Sequence, residues 1–126
     1  MGYVHTEIQL RNPRLTELKE ITVTAMVDTG AMTLCIPEHI ALQLQLQTDR
    51  RREVTTADGR KQIVPYVGPI EVLFENRNCY VGALVLGDEV LLGAVPMEDM
   101  DLVISPSYGK VVVNPESPNF PHALVK

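Results

Sequence analysis

An aspartate followed at once by a hydroxyl residue and a glycine can do carboxylate chemistry, provided the chain holds it at a rigid, open point. Asp28-Thr29-Gly30-Ala31 is such a run. The carboxylate can take a proton from a water or return one, and the glycine lets the backbone turn tightly behind it. The plainer reading is an Asx turn at a strand end. What precedes the run decides its interest. Ile21, Val23, Ala25 and Val27 fall on one face and Thr22, Thr24 and Met26 on the other, the period of a half-buried strand. That strand ends on the acid and so presents it.

Other reactive types are poorly arranged. Cys35 and Cys79 form no Cys-x-x-Cys pair, and His5, His39 and His122 are scattered, so neither a metal site nor a Cys–His nucleophile is expected. Cys35 reads as a small buried hydrophobe. Arg50-Arg51-Arg52 reads as a solvated loop after a helix rather than a binding patch. The net charge of -5 excludes nucleic acid as the main partner, because phosphate binding needs a clustered basic excess. No charged-then-apolar leader and no span-length apolar run is visible, so no membrane is expected, and a cytoplasmic location with reduced thiols is.

A chain of 126 residues fits one core, hence a single domain over 1–126. Strands are expected at Val4–Leu10, Glu20–Val27, Thr33–Ile36, Val54–Thr56, Lys61–Val64, around Ile70–Phe74, Tyr80–Leu86, Val90–Leu92 and Val111–Val113. Pro37 and Pro96 open two short helices, since proline tolerates a first helical turn. Asp58-Gly59 between strand-like runs signals a hairpin, expected as a type I′ turn with both central residues at positive φ. A polar turn is expected at Asn76-Arg77-Asn78. Pro115, Pro118 and Pro121 mark an extended tail over about 114–126. Two halves share a grammar of strand, glycine turn and proline-led helix, which predicts that Gly30 and Gly93 occupy corresponding turns. Many short strands without βαβ alternation make the fold mainly β.

Three stretches in this order carry a resemblance: "MVDTGA" at 26–31, "TTADGR" at 55–60 and "VLLG" at 90–93. Over residues 21–113 the chain resembles the retropepsin-like aspartic proteases, the single-lobe family that includes retroviral enzymes and bacterial relatives. The resemblance implies a closed β-barrel lobe of the acid protease fold, with one or two short helices and a β-hairpin flap. It implies an aspartic endopeptidase without metal or organic cofactor, in which two carboxylates share one proton around a water. The sequence holds one Asp-Thr-Gly, so the second carboxylate would come from a second copy of the chain in a symmetric homodimer.

Position by position, Asp28 matches the catalytic aspartate. Thr29 matches the residue whose hydroxyl crosses the dimer axis, and Gly30 the glycine that donates to the carboxylate. Ala31 matches the retroviral type, which lacks the neighbouring hydroxyl of pepsin-like lobes and implies a less acidic working range. Ala57, Asp58 and Gly59 match the flap over an extended peptide, and Gly93 the second glycine turn beneath the site. Two departures are visible. Ala94-Val95-Pro96 follows Gly93 where retroviral enzymes place an arginine, and the flap tip carries charged Asp58 and Arg60 with one glycine. The same fold could also serve as a catalytically silent dimeric module that binds peptides or proteins, or Asp-Thr-Gly could be coincidental in a structural domain.

Overall fold

A strand that is apolar on one face needs a second apolar face to cover it, and this chain supplies one by curling its strands around a common interior. In the computed structural model, which describes residues 3–125, the elements are β1 (His5–Arg11), β2 (Ile21–Val27), β3 (Leu34–Ile36), α1 (Glu38–Gln43), β4 (Thr48–Thr55), β5 (Lys61–Phe74), β6 (Arg77–Val85), β7 (Val90–Leu92), α2 (Ala94–Asp99), β8 (Leu102–Ser105) and β9 (Lys110–Val113). Met1, Gly2 and Lys126, the ends of the expected 1–126 domain and its tail, lie outside the described residues. Hydrogen bonding orders the main sheet β1-β2-β7-β3-β6-β5-β4. A further ladder pairs Gln9 with Leu73, Leu10 with Val72 and Arg11 with Glu71. It closes six strands into a barrel and leaves β4 at the edge. The fold is therefore mainly β, a closed barrel with two short helices, as expected. Among the described residues no helix is long and apolar enough to cross a membrane.

The interior is aliphatic, as a chain without Trp requires. Ile8, Leu10, Leu34, Ile36, Ile70, Val72 and Leu92 are fully buried, and each such side chain contributes about 1.5–3 kcal/mol by leaving water. The alternation of β2 holds: Ala25 and Val27 are buried while Thr22 and Thr24 face solvent.

The barrel contains an internal two-fold relation. β2 runs parallel to β7, pairing Ala25, Met26 and Val27 with Val90, Leu91 and Leu92. β6 runs parallel to β3, pairing Ala83, Leu84 and Val85 with Leu34, Cys35 and Ile36. Exchanging β2 with β6 and β3 with β7 maps one ladder onto the other, and Cys35 faces its own counterpart, Leu91, where β3 meets β7. The helices obey the same exchange: α1 follows Pro37 and α2 follows Gly93, each the N-cap of its helix. Just beyond the helices, Gln45 and Asp101 both turn left-handed, at φ 52 and 55.

This relation corrects the expected equivalence of Gly30 and Gly93. Gly93 corresponds to Pro37, ahead of a helix, whereas Gly30 follows the first strand of its half. Sequence grammar could not distinguish a glycine before a helix from one after a strand.

Four other expectations change. The 56–60 hairpin is not type I′, because only Gly59 takes a positive φ, at 86°. Its loop is closed by Gly59 N–H to Thr56 C=O (2.9 Å) and Thr56 N–H to Arg60 C=O (2.8 Å), a three-residue loop with a glycine bulge. The Asp58 carboxylate accepts from the Thr56 hydroxyl and the Arg60 N–H, which stabilises this alternative. Arg50–Arg52 lie in β4, not in a loop; charged side chains suit an exposed edge strand. The second hairpin turns at Glu75-Asn76, placing Arg77 and Asn78 inside β6. Residues 114–118 form turns rather than an extended run, and Asp101 accepts hydrogen bonds from the Asn114 amide, the Ser117 hydroxyl and the His122 N–H. β8, which pairs with β9, has no counterpart among the expected strands.

Candidate active site

Asp28 stands where β2 leaves the barrel. Its N–H donates to the Leu92 carbonyl at 3.0 Å, and Ala31 N–H closes the turn onto the Asp28 carbonyl at 3.0 Å. Asp28 Oδ1 accepts the Gly30 N–H at 3.0 Å. This is an Asx turn, so the plain reading and the chemical reading share one geometry. They part on where the carboxylate faces, and the half-buried Asp28 lines a groove. A Cβ on Gly30 would sit 3.1 Å from Asp28 Oδ1, tight enough to displace the carboxylate.

Gly93 supports this turn from below. A Cβ there would overlap the Thr33 carbonyl oxygen, and would lie 2.6 Å from the Ala31 carbonyl oxygen and 2.8 Å from the Thr33 nitrogen. The first turn of α2 ties the same loop down through Ala94 N–H to Ala31 C=O (2.9 Å) and Val95 N–H to Met32 C=O (2.8 Å). The glycine is required by close approach of backbone, not by a special φ.

The groove measures about 780 Å³, large enough for several peptide side chains. Its floor holds Asp28 and Leu86, Cys35 and Leu91, two pairs exchanged by the internal two-fold. The opposite wall is β4 and the start of the 56–60 hairpin, from Arg52 to Ala57. Of the residues expected at the site, Asp28, Gly30, Ala31 and Ala57 line the groove. Thr29 is exposed beside it. Asp58 and Gly59 lie beyond its lining, with Asp58 also bonded to Arg60 Nε at 2.8 Å. Sequence reasoning missed Met32, Arg52, Val54, Leu84, Leu86 and Leu91; the strand run into the hairpin was the available signal for Val54, while the others needed the strand order.

Burial pushes the Cys35 thiol up, and the nearby Asp28 charge pushes it further. A protonated, buried thiol is a poor nucleophile. The Thr56 hydroxyl, then the Arg60 N–H, hold the Asp58 carboxyl below its ordinary value. Arg52 stacks over the Tyr66 ring with its guanidinium carbon 3.8 Å from the centroid, about 0.5–1 kcal/mol for an exposed pair. Among the described residues no three His, Cys, Asp or Glu side chains gather to hold a metal ion.

A family model for gag-polyprotein putative aspartyl proteases matches residues 16–99, from the β1–β2 connection to the end of α2. The chain belongs to the gag-polyprotein putative aspartyl protease family. Solved structures similar to this family member include the simian foamy virus (mac) protease, at 18% identity and TM-score 0.46, covering 73% of this chain and 91% of that one. A Legionella pneumophila protein of unknown function is 16% identical at TM-score 0.45, covering 79% and 88%. A retropepsin-like aspartic protease from Rickettsia conorii is 20% identical at TM-score 0.40, covering 74% and 80%. No curated protein matches the chain.

Proposed function

We propose that the chain is an aspartic endopeptidase that acts as a homodimer, with one Asp28 carboxylate from each subunit flanking a shared water. The observation that carries this reading is the relation between Asp28 and Leu86. The internal two-fold supplies two equivalent positions at the groove floor, and the second holds a leucine. Glu53, another carboxylate of the groove, sits exposed on the edge strand β4. The partner carboxylate is therefore the Asp28 of a second copy.

In this reading one carboxylate removes a proton from the water as its oxygen attacks the peptide carbonyl carbon. The other, protonated, donates to the carbonyl oxygen. In such a pair one carboxylate serves as the base and the other as the acid. Gly30 N–H fixes one oxygen of Asp28, leaving the other for the water. The Thr29 hydroxyl, exposed and without a side-chain hydrogen bond among the described residues, is free to reach the partner subunit. Ala31 adds no hydroxyl beside the carboxylate, which favours work at mildly acidic rather than strongly acidic pH. The 56–60 hairpin acts as the flap, and Ala57, Asp58 and Gly59 form its tip over an extended peptide.

The test is incubation with a peptide library from mildly acidic to neutral pH, with and without a pepstatin-like inhibitor. Inhibitable cleavage at discrete bonds supports the reading. Peptide binding without any cleavage would assign the chain instead as a silent binding module.

A further inference from the structure

β4 carries three consecutive cations in a chain whose net charge is -5. Successive strand residues point to opposite faces, so Arg50 and Arg52 share one side and Arg51 takes the other. The register sets Arg50 opposite Tyr66 and Tyr66 opposite Leu84, and both Leu84 and Arg52 line the groove. The Arg52 guanidinium lies 3.8 Å over the Tyr66 ring. That ring in turn occupies the space above Gly82, where any Cβ would overlap its Cζ and hydroxyl. A glycine, an aromatic ring and a guanidinium thus form one stack, which orders a long flexible side chain before a ligand arrives.

Stacking uses the face of a guanidinium and leaves its in-plane N–H donors open, in the planar fork that matches a carboxylate. The salt bridges among the described residues join Arg11 to Glu71 and Arg60 to Asp58, and none engages Arg52. The anionic groups of the same groove, Asp28 and Glu53, leave it unpaired as well.

We infer that Arg52 is a specificity-determining residue, selecting peptides that place an aspartate or glutamate side chain in the subsite beside β4. The inference rests on the protease reading above. In the homodimer of that reading, a second Arg52 makes the same demand on the other side of the scissile bond, so preferred peptides are acidic on both sides of it.

The experiment scans Glu, Gln and Lys through each position of one peptide scaffold, reading kcat/KM and, by fluorescence anisotropy, Kd. Wild type should favour Glu over Gln by about five-fold at one or more positions, less at high salt. Arg52→Gln should lose the preference, Arg52→Lys should keep part of it, and Arg51→Gln, on the far face, should keep it whole. Matching thermal melts show that the variants fold. Equal use of Glu and Gln at every position, or an Arg52→Gln variant that retains the preference, overturns the inference and leaves the protease reading standing. If wild type cleaves no peptide, the protease reading fails, and anisotropy decides alone: acidic peptides whose binding weakens in Arg52→Gln support the subsite, and unaltered or absent binding overturns it.

Discussion

Asp28 and Leu86 are equivalent residues of one barrel. The Asp28 N–H donates to the Leu92 carbonyl at 3.0 Å, and the Leu86 N–H donates to the Ile36 carbonyl at 3.0 Å. Each leaves its strand at the same point of the internal two-fold. One carries a carboxylate and the other a leucine, so the internal two-fold does not repeat the acid.

Replacing Asp28→Asn keeps size and the acceptor for Gly30 N–H while removing proton transfer. Peptide cleavage should fall by at least about 100-fold to 10,000-fold, the range for losing a general acid–base group. Circular dichroism and the melting temperature should stay near wild type. An active, folded Asp28→Asn protein would remove Asp28 from the mechanism.

The two glycines of the site should separate stability from activity. Gly93→Ala forces a methyl group onto the Ala31 and Thr33 backbone, and overpacking of this kind lowers stability by about 1–3 kcal/mol, measurable by denaturant titration. Gly30→Ala meets only the Asp28 carboxylate. It should leave stability nearly unchanged and reduce cleavage at least about ten-fold through misplacement of the acid.

Thr29→Ala should weaken dimer formation more than folding. Sedimentation over a dilution series would show the monomer appearing at higher protein concentration than in wild type, with an unchanged melt at high concentration. A variant that dimerises like wild type would remove the hydroxyl from the interface.

Docking of the tail should depend on pH through Asp101. The His122 N–H, followed by the Ser117 hydroxyl and the Asn114 amide, holds its carboxyl down from 3.8 to about 2. A depressed folded value means that the stabilisation is complete above the ordinary carboxylate range and is lost as the pH falls toward about 2. Relative to the intrinsic rate at each pH, amide exchange at His122 should therefore accelerate across that window. Asp101→Asn, a weaker acceptor, should accelerate it at neutral pH.

Both thiols should resist labelling. Burial, then the charges of Asp99 and Glu71, push Cys79 up to about 12, and burial with Asp28 raises Cys35. At pH 8 a thiol reagent should modify Cys79 only as fast as the protein unfolds, and Cys35, at the groove floor, slowly because its thiol stays protonated; rapid labelling of both in the native protein would contradict this.

Local signals were legible wherever a residue's neighbours in sequence are also its neighbours in space. The alternation of β2, the Asp-Gly hairpin and the helix after Pro37 depend on contacts a few residues apart, and all appear; the second helix starts at Ala94, two residues ahead of the expected Pro96. The turn type at 56–60 was not legible, because Asp58 chose between two backbone states through side-chain bonds to Thr56 and Arg60. β8 was missed for another reason: Leu102–Ser105 is short and becomes a strand only beside β9.

The sequence alone determined that an apolar strand ends on Asp28 within a tight glycine turn, because period-two burial and backbone freedom are local properties. Only the tertiary structure decided that Leu86 is the counterpart of Asp28, that Gly93 answers to Pro37, and that Arg52, a groove residue, stacks on Tyr66. Those relations join residues tens of positions apart through strand order and register, which arise from closing the barrel around its core rather than from any stretch of chain taken separately.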